Sequence, residues 1–459
     1  MTAPLLVAAN RGPVSYAYDD DGTLVARRGG GGMVSGLVSA LGGSEAVWVC
    51  SAMSRADRDA TGRGGLLTDG PVPVRMLDID PDVFHRAYNE IANSTLWFVS
   101  HLLYDTPLQP RFDAGWRRQW EGYVEYNRAF ADALADEAAE GARVVVQDYH
   151  LFLVPAMLRD RRPDVKIAHF THTPWAPPDY FALLPDDVAA EILRGLAASD
   201  HVGFLADRWA QAYIACAERV LGSCDTSRVG VHPLGVDADD LRARSHGDDV
   251  ETALGDLREE VGGRAVLVRV DRTELSKNNV RGIVAFGELL RAHPEHRGEV
   301  VHVVFAYPSR QDLRVYRDYT TAVMAAAGAV NDEFATDDWQ PVLLSVRDDY
   351  PRSLAAMRLA DVLVVNPVRD GMNLVAKEGP VLSDEGVVLL LSREAGAAAE
   401  LSNAALMLNP YDIEQTTARM HEAITMDREE RTDRTRRLVT AATALPPDRW
   451  FADQLAALT

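Results

Sequence analysis

The sequence predicts an α/β protein made of two Rossmann-like halves in succession, on three observations. Short apolar runs of the parallel-strand type recur between helix-patterned stretches. Polar residues close several of these runs on their carboxyl side, where open α/β sheets bind ligands. A charged helical stretch, 239–260, separates one βα series from the next. The reading therefore gives an N-terminal half over 1–237, a C-terminal half over 238–440 and a closing segment, 441–459. The halves are expected to face a cleft, with Trp450 and Phe451 of the closing segment packing back on the first half.

Composition narrows the classes. A chain of 459 residues with 47% hydrophobic and 25% charged residues is globular and long enough for two cores. No run of 18 apolar residues occurs, and the start MTAPLLVAANR lacks the build of a signal peptide, so a cytoplasmic protein without a membrane partner is expected. Cys50, Cys216 and Cys224 have neither disulfide-framework nor metal-ligand spacing, so no structural zinc is expected from them. The net charge of −21 opposes a non-specific grip on nucleic acid, and an anionic substrate needs a local basic pocket. Only three of the 47 basic residues are lysines: Lys166, Lys277 and Lys377. A scarce lysine marks a place where a compact ammonium serves better than a planar guanidinium.

Taken in order, Leu5 to Ala9 reads as a strand running into the breakers Asn10, Arg11, Gly12 and Pro13. RGGGGM, 28–33, is a loop whose backbone suits close approach to a ligand, or simply a flexible connection. Tyr88 and Trp97 stand in an aromatic and polar stretch, and Trp116, Trp120, Tyr123, Asn127, Phe130 and Leu134 fall at helical spacing as a core stripe. Strands at 143–147 and 165–170 end at Asp148 and near His172, two polar strand ends in succession. For His172 alone, a satisfied core histidine is the competing reading.

In the second half, Ala265 to Val270 carries Arg269, and Lys277 follows in the next loop. A guanidinium near a strand end and an ammonium beyond it make a clamp for a diphosphate. Strands follow at 300–305, 343–346, 362–365, 387–391 and 405–408, and a helix at 413–426. After the strand at 362–365, NPVRDGMNLVAKE reads as strand, turn and helix start, a place that favours an anion. Asp370 there is a carboxylate suited to sugar hydroxyls; an ordinary turn with a solvated aspartate is the alternative.

Together the strings NRGPVSY, GGGGMVSGL, ANSTLWF, VVQDYHL, HFTHTPWAP, LVRVDRTELSKN, YPSR, NPVRDGMNLVAKE and SREAGAAAEL resemble, in order and over nearly the whole chain, the trehalose-6-phosphate synthases. The resemblance implies a retaining glucosyltransferase of GT-B architecture that moves glucose from a nucleotide-glucose to glucose 6-phosphate. It implies that Arg269 and Lys277 bind the donor diphosphate, that Asp370, Gly371, Met372 and Asn373 hold the donor glucose, and that Leu374 and Val375 offer helix-start N–H groups. Glu378 would take the ribose hydroxyls, and Gly31 and Gly32 would close over the donor. Arg11, Tyr88, Trp97 and Arg310 would bind the acceptor phosphate, Asp148 the acceptor hydroxyls, and His172 would contact the donor sugar near the reacting carbon. The nucleotide-glucose is a substrate; no cofactor or metal is implied, and a homo-oligomer is expected.

Two departures stand out. Counted from Arg269, RVDRTELSK is three residues longer than the family's R-x-D-Y-x-K, and WVCSAM replaces WxGWxG at Trp48 to Met53. The longer loop and VRDDY, 346–350, resemble actinomycete members, which points to GDP-glucose over UDP-glucose. Rival readings are a glucosylglycerol-phosphate synthase or a pseudo-glycosyltransferase and, from another class, a sugar-phosphate-binding regulator without turnover. Asp370 and the cations speak against the regulator.

Overall fold

In the computed structural model, which describes residues 2–28, 37–38, 41, 45–62 and 64–458, the chain forms two units. Unit 1 comprises Met1–Leu234 and Pro447–Thr459, and unit 2 Gly235–Pro446. The divisions lie three and six residues from those read in the sequence, 237/238 and 440/441.

Among the described residues, nine strands belong to unit 1: β1 (Ala3–Ala8), β2 (Val14–Tyr18), β3 (Leu24–Arg28), β4 (Ala46–Ser51), β5 (Val74–Leu77), β6 (Ala138–Gln147), β7 (Lys166–Thr171), β8 (His201–Phe204) and β9 (Val229–Val231). Seven of them pair in the order β5-β4-β1-β6-β7-β8-β9, all parallel. The sheet is buried on both faces: β4 shows no exposed residue, which is why its strands lack polar alternation. β2 and β3 form a separate antiparallel hairpin. The order reverses between β1 and β6, so the loops leaving these two strands flank the switch point. They carry Asn10–Arg11 and Asp148.

The stripe from Trp116 to Leu134 lies on the helix Ala114–Glu137, capped by the Asp113 carboxylate on the Trp116 N–H, and Trp120, Tyr123, Phe130 and Leu134 are buried. Trp450, on the helix Pro447–Ala456, packs edge-on to Phe170 at 5.0 Å and lies 5.7 Å from His172, so the closing segment completes the unit 1 core.

Unit 2 has six strands: β10 (Ala265–Arg272), β11 (Val300–Tyr307), β12 (Val342–Ser345), β13 (Val362–Val365), β14 (Val388–Ser392) and β15 (Leu406–Leu408). Their order is β12-β11-β10-β13-β14-β15, all parallel, with the reversal between β10 and β13. This is the doubly wound order of a dinucleotide fold, and the loops after β10 and β13 carry the lysine and aspartate motifs. The charged stretch 239–260 forms two helices, Ala238–Ser245 and Asp248–Val261, because the extended Gly247 begins the second. Among the described residues no helix is long and apolar enough to cross a membrane.

Candidate active site

The switch point of unit 2 gathers charge. Lys277, beyond β10, gives its ammonium to Asp370 at 2.6 Å and lies 3.8 Å from Asp271. Burial would push Lys277 toward neutrality, but Asp370 and then Asp271 outweigh it, and its pKa ends above the ordinary lysine value. Asp271 is raised by burial against the pull of Arg269 and Lys277. Asp370 also accepts from the Asn373 amide at 3.1 Å, and Asn373 sits at φ 76, a left-handed turn that asparagine tolerates.

The segment holding Asp370 is fixed from behind. The Asp370 N–H donates to Glu394, the Gly396 N–H to Asp370 and the Ala397 N–H to Met372. Gly396 is pressed so closely on the Gly371 carbonyl that a Cβ there would stand 1.9 Å from its oxygen. The SREAG motif is therefore a support for the DGM turn, and any side chain at 396 displaces it. After the turn, the Ala376 N–H donates to the Asn373 side chain, and the Lys377 and Glu378 N–H groups to Leu374, so Leu374 and Val375 lead the helix Val375–Leu382. Lys377 faces inward onto Glu400 at 2.6 Å and is structural. Burial raises the half-buried Glu378 carboxyl to about 7. Hydrogen bonds from ribose hydroxyls would favour its carboxylate form.

Arg269 is buried away from the ligand-facing end of the sheet, where the sequence reading expected it. It is 0% exposed in the middle of the sheet, donating to Asn279 at 2.6 Å, to Asn366 and to the Lys277 carbonyl, with Asp271 at 2.9 Å. Gly282 leaves the room, since a Cβ there would meet the guanidinium at 2.7 Å. The cation at the carboxyl end of β10 is Arg272, with a side chain 49% exposed and 2.9 Å from Glu274. Counted from Arg272, RTELSK has the same length as R-x-D-Y-x-K, so the three extra residues read from Arg269 are strand and not loop.

Glu274, missed in the sequence, is the hub of this region. It is buried, pairs with Arg272 and with Arg310 at 3.0 Å, and accepts from Ser309 at 2.8 Å. Burial opposes its charge, yet Arg272, Arg310 and Lys277 hold its pKa down to about 2. Its signal was the acidic third position of the R-x-D-Y-x-K pattern, hidden by starting the count at Arg269. Arg310, at φ 44, also donates to the Tyr316 hydroxyl at 3.1 Å.

In unit 1, Arg11 follows β1, its guanidinium 3.4 Å from the Tyr88 hydroxyl and its carbonyl held by the Trp48 indole at 3.1 Å. Trp48, the surviving aromatic of WVCSAM, is thus a backing for Arg11, and Gly12 fits where a Cβ would meet Cys50 Sγ at 2.6 Å. Tyr88 lies on a wide helix of i→i+5 pattern, Arg86–Leu96, a geometry frequent at functional sites. An aromatic row continues from Tyr88 to His150 at 5.7 Å, Tyr149 at 4.0 Å and Trp97 at 5.7 Å. Trp97 in turn stacks on His101 at 4.0 Å.

Asp148 ends β6 at φ 73 and ψ 172, a region that is nearly exclusive to glycine and costs a side-chain-bearing residue about 1–3 kcal/mol. Its carboxylate accepts the His172 N–H at 3.1 Å, and its own N–H donates to Phe170 at 2.7 Å. His172 is paired with the Gln147 side chain at 2.7 Å, and burial lowers its pKa to about 3, so the ring is neutral. The structure thus joins Asp148 to His172 and Arg11 to Tyr88, while Gly31 and Gly32 lie outside the described residues.

Comparison with known proteins agrees over the full length. Trehalose-6-phosphate synthase of Mycobacterium avium (strain 104) is 34% identical over 478 residues, covering 98% of this chain and 95% of that protein. An E. coli structure bound with UDP-2-fluoro glucose superposes with a TM-score of 0.86 at 26% identity, covering 99% of this chain and 98% of that one. An α,α-trehalose-phosphate synthase (UDP-forming) from Burkholderia xenovorans, in complex with glucose-6-phosphate, does so at 0.85 and 26%, covering 99% of both chains. The profile of glycosyltransferase family 20 matches residues 4–459, and the chain belongs to that family.

Proposed function

We propose that the chain transfers glucose, with retention, from a nucleotide-glucose to glucose 6-phosphate, giving α,α-trehalose 6-phosphate and a nucleoside diphosphate. The observation that carries this reading is the Arg272–Glu274–Lys277–Asp370 cluster at the switch point of unit 2. The relatives' names and the glucose-6-phosphate complex support the acceptor.

Breaking the bond between the anomeric carbon and the phosphate oxygen leaves negative charge on the diphosphate. Arg272, Lys277 and the helix start at Leu374 and Val375 stabilise that charge without a metal. Lys277 is held charged by its carboxylate neighbours, and it joins the cluster to Asp370, which with Gly371, Met372 and Asn373 cradles the donor glucose. The acceptor hydroxyl bonds to the anomeric carbon on the face the phosphate leaves, and its proton passes to the departing phosphate oxygen. Asp370 is a binding group and not a nucleophile. Neutral His172 contacts the donor sugar, and Glu378 the ribose. Arg11, Tyr88, Trp97 and Arg310 bind the acceptor phosphate, and Asp148 the acceptor hydroxyls.

Asp148→Asn tests the acceptor role. Asparagine retains an oxygen for the His172 N–H and bears the same backbone strain as the aspartate it replaces, so stability stays within about 1 kcal/mol. The KM for glucose 6-phosphate is expected to rise roughly 10–100-fold while the donor KM holds. A change confined to the donor would remove Asp148 from the acceptor site.

The donor base in this reading is guanine. With the loop of ordinary length, support comes from VRDDY and from Arg347, whose side chain is 69% exposed beside a cavity of about 390 Å³ that it lines with Leu344, Ser345, Val346 and Arg352. A guanidinium pairs well with guanine O6 and N7. Uracil is the rival, favoured by the UDP-forming neighbours. GDP-, UDP- and ADP-glucose assayed in parallel with glucose 6-phosphate are expected to give trehalose 6-phosphate, fastest from GDP-glucose. A UDP preference overturns the base, and no disaccharide phosphate from any donor overturns the reaction.

A further inference from the structure

Away from the residues discussed so far, unit 2 brings together three of the chain's twelve histidines and one carboxylate. His293, Glu295 and His296 lie on the short turn that follows the helix Asn279–Ala292, and His421 lies near the end of the helix Ile413–Thr425. One donor atom from each falls within 4.8 Å of every other. His296 Nε2 and His421 Nδ1 are 2.9 Å apart, His293 Nδ1 is 3.1 Å from a Glu295 oxygen, and the His293 and His421 rings stack at 3.7 Å.

We propose that these four side chains form a binding site for one divalent transition-metal ion, with zinc as the expected occupant. Three imidazoles and a carboxylate suit zinc, nickel or copper and not magnesium or calcium, which prefer all-oxygen shells. Donor atoms at roughly 2.0–2.1 Å around a tetrahedral ion stand about 3.3 Å apart. The observed donor separations, from 2.9 Å to at most 4.8 Å, bracket that spacing, and the shell closes when the stacked His293 and His421 rings part and turn toward a common centre. The hydrogen bond between His296 and His421 is then replaced by two bonds to the ion.

The scaffold is set before any ion arrives. Backbone hydrogen bonds from His296 to His293, Arg297 to Pro294 and Glu299 to His296 lock the turn. Thr417 donates to the Ala285 carbonyl at 3.0 Å and joins the two helices. Neighbouring cations are engaged elsewhere: Arg291 with Glu288 and Glu333, Arg297 with the Leu290 carbonyl and the Phe334 ring. An ion here ties the turn to the helix Ile413–Thr425, and its effect is on stability and not on turnover.

The test uses the full chain, stripped with chelator and dialysed, then titrated with zinc chloride by calorimetry and with cobalt(II) by absorption. One zinc per chain at micromolar affinity or tighter is expected, with intense tetrahedral cobalt bands and a melting temperature raised by about 5 °C. His293→Gln and His421→Gln are each expected to weaken zinc binding at least roughly 10-fold. Glucosyl transfer is expected to persist in excess chelator. The proposal fails if the parent shows no saturable zinc binding, if the cobalt spectrum stays octahedral, or if both variants bind as the parent does. The half-exposed His293 makes the first variant the safer for folding, and the parent's cobalt spectrum stands without either.

Discussion

Lys277→Ala lowers the turnover of glucosyl transfer by about 10²–10³-fold at saturating substrates, with the fold retained. The argument rests on where its charge is held. The ammonium is kept protonated by Asp370 at 2.6 Å and Asp271 at 3.8 Å, so in the proposed reaction it would meet the leaving diphosphate as a full cation. A group that stabilises charge developing only as the bond breaks shows its loss in kcat more than in KM. Stability changes less, since Asp370 still accepts from Asn373 and, at 15% exposure, reaches water. Steady-state kinetics with both substrates varied, beside a melting curve, checks this. Turnover within a few-fold of the parent would remove Lys277 from the chemistry.

Arg269→Ala and Arg272→Ala separate in the opposite sense, although only two residues lie between them. Removing the fully buried Arg269 leaves the Asp271 carboxylate with only Lys277 at 3.8 Å and takes the donor from two buried amides, a loss of about 3–5 kcal/mol. In a unit of this size that is a fall of roughly 10 °C in melting temperature. Removing Arg272 takes away one exposed partner of Glu274, and Arg310 still neutralises that carboxylate, so the melt moves little. Turnover, in contrast, is expected to fall by about 10²-fold as the proposed clamp loses a cation. Thermal denaturation and kinetics on both variants decide it: a stable but inactive Arg269→Ala with an active Arg272→Ala would return the role to Arg269.

That exchange shows where the sequence was legible and where it was not. The strand Val362–Val365 was read with its observed ends, and β11 and β14 to within two residues, because doubly covered parallel strands are unbroken apolar runs. β10, however, continues through the charged residues Asp271 and Arg272, so a run of six with Arg269 as its one basic member hid a strand of eight and moved the arginine assignment inward. A buried arginine satisfied by Asn279, Asn366 and a carbonyl has no local signature, since its partners come from up to 97 residues away. β4, β5 and the β2–β3 hairpin also went unread, and the wide helix Arg86–Leu96 has no sequence period of its own. Asp148 and Asp370 were found because polar residues at strand ends are readable from order alone. The backbone strain of Asp148 and the Gly396–Gly371 contact are tertiary facts.

The helix Pro447–Ala456 bears on how the protein is made. Trp450, which closes over Phe170 and His172, is synthesised only after all of unit 2. At a ribosomal pace of about 5–20 residues per second, unit 1 waits roughly 10–40 s with that aromatic face open, while unit 2 has every residue it needs. Maturation therefore runs against chain order: the second unit can finish first, and the Phe170–His172 face of unit 1 is covered last. Chaperone demand during synthesis should thus fall on the earlier-made half.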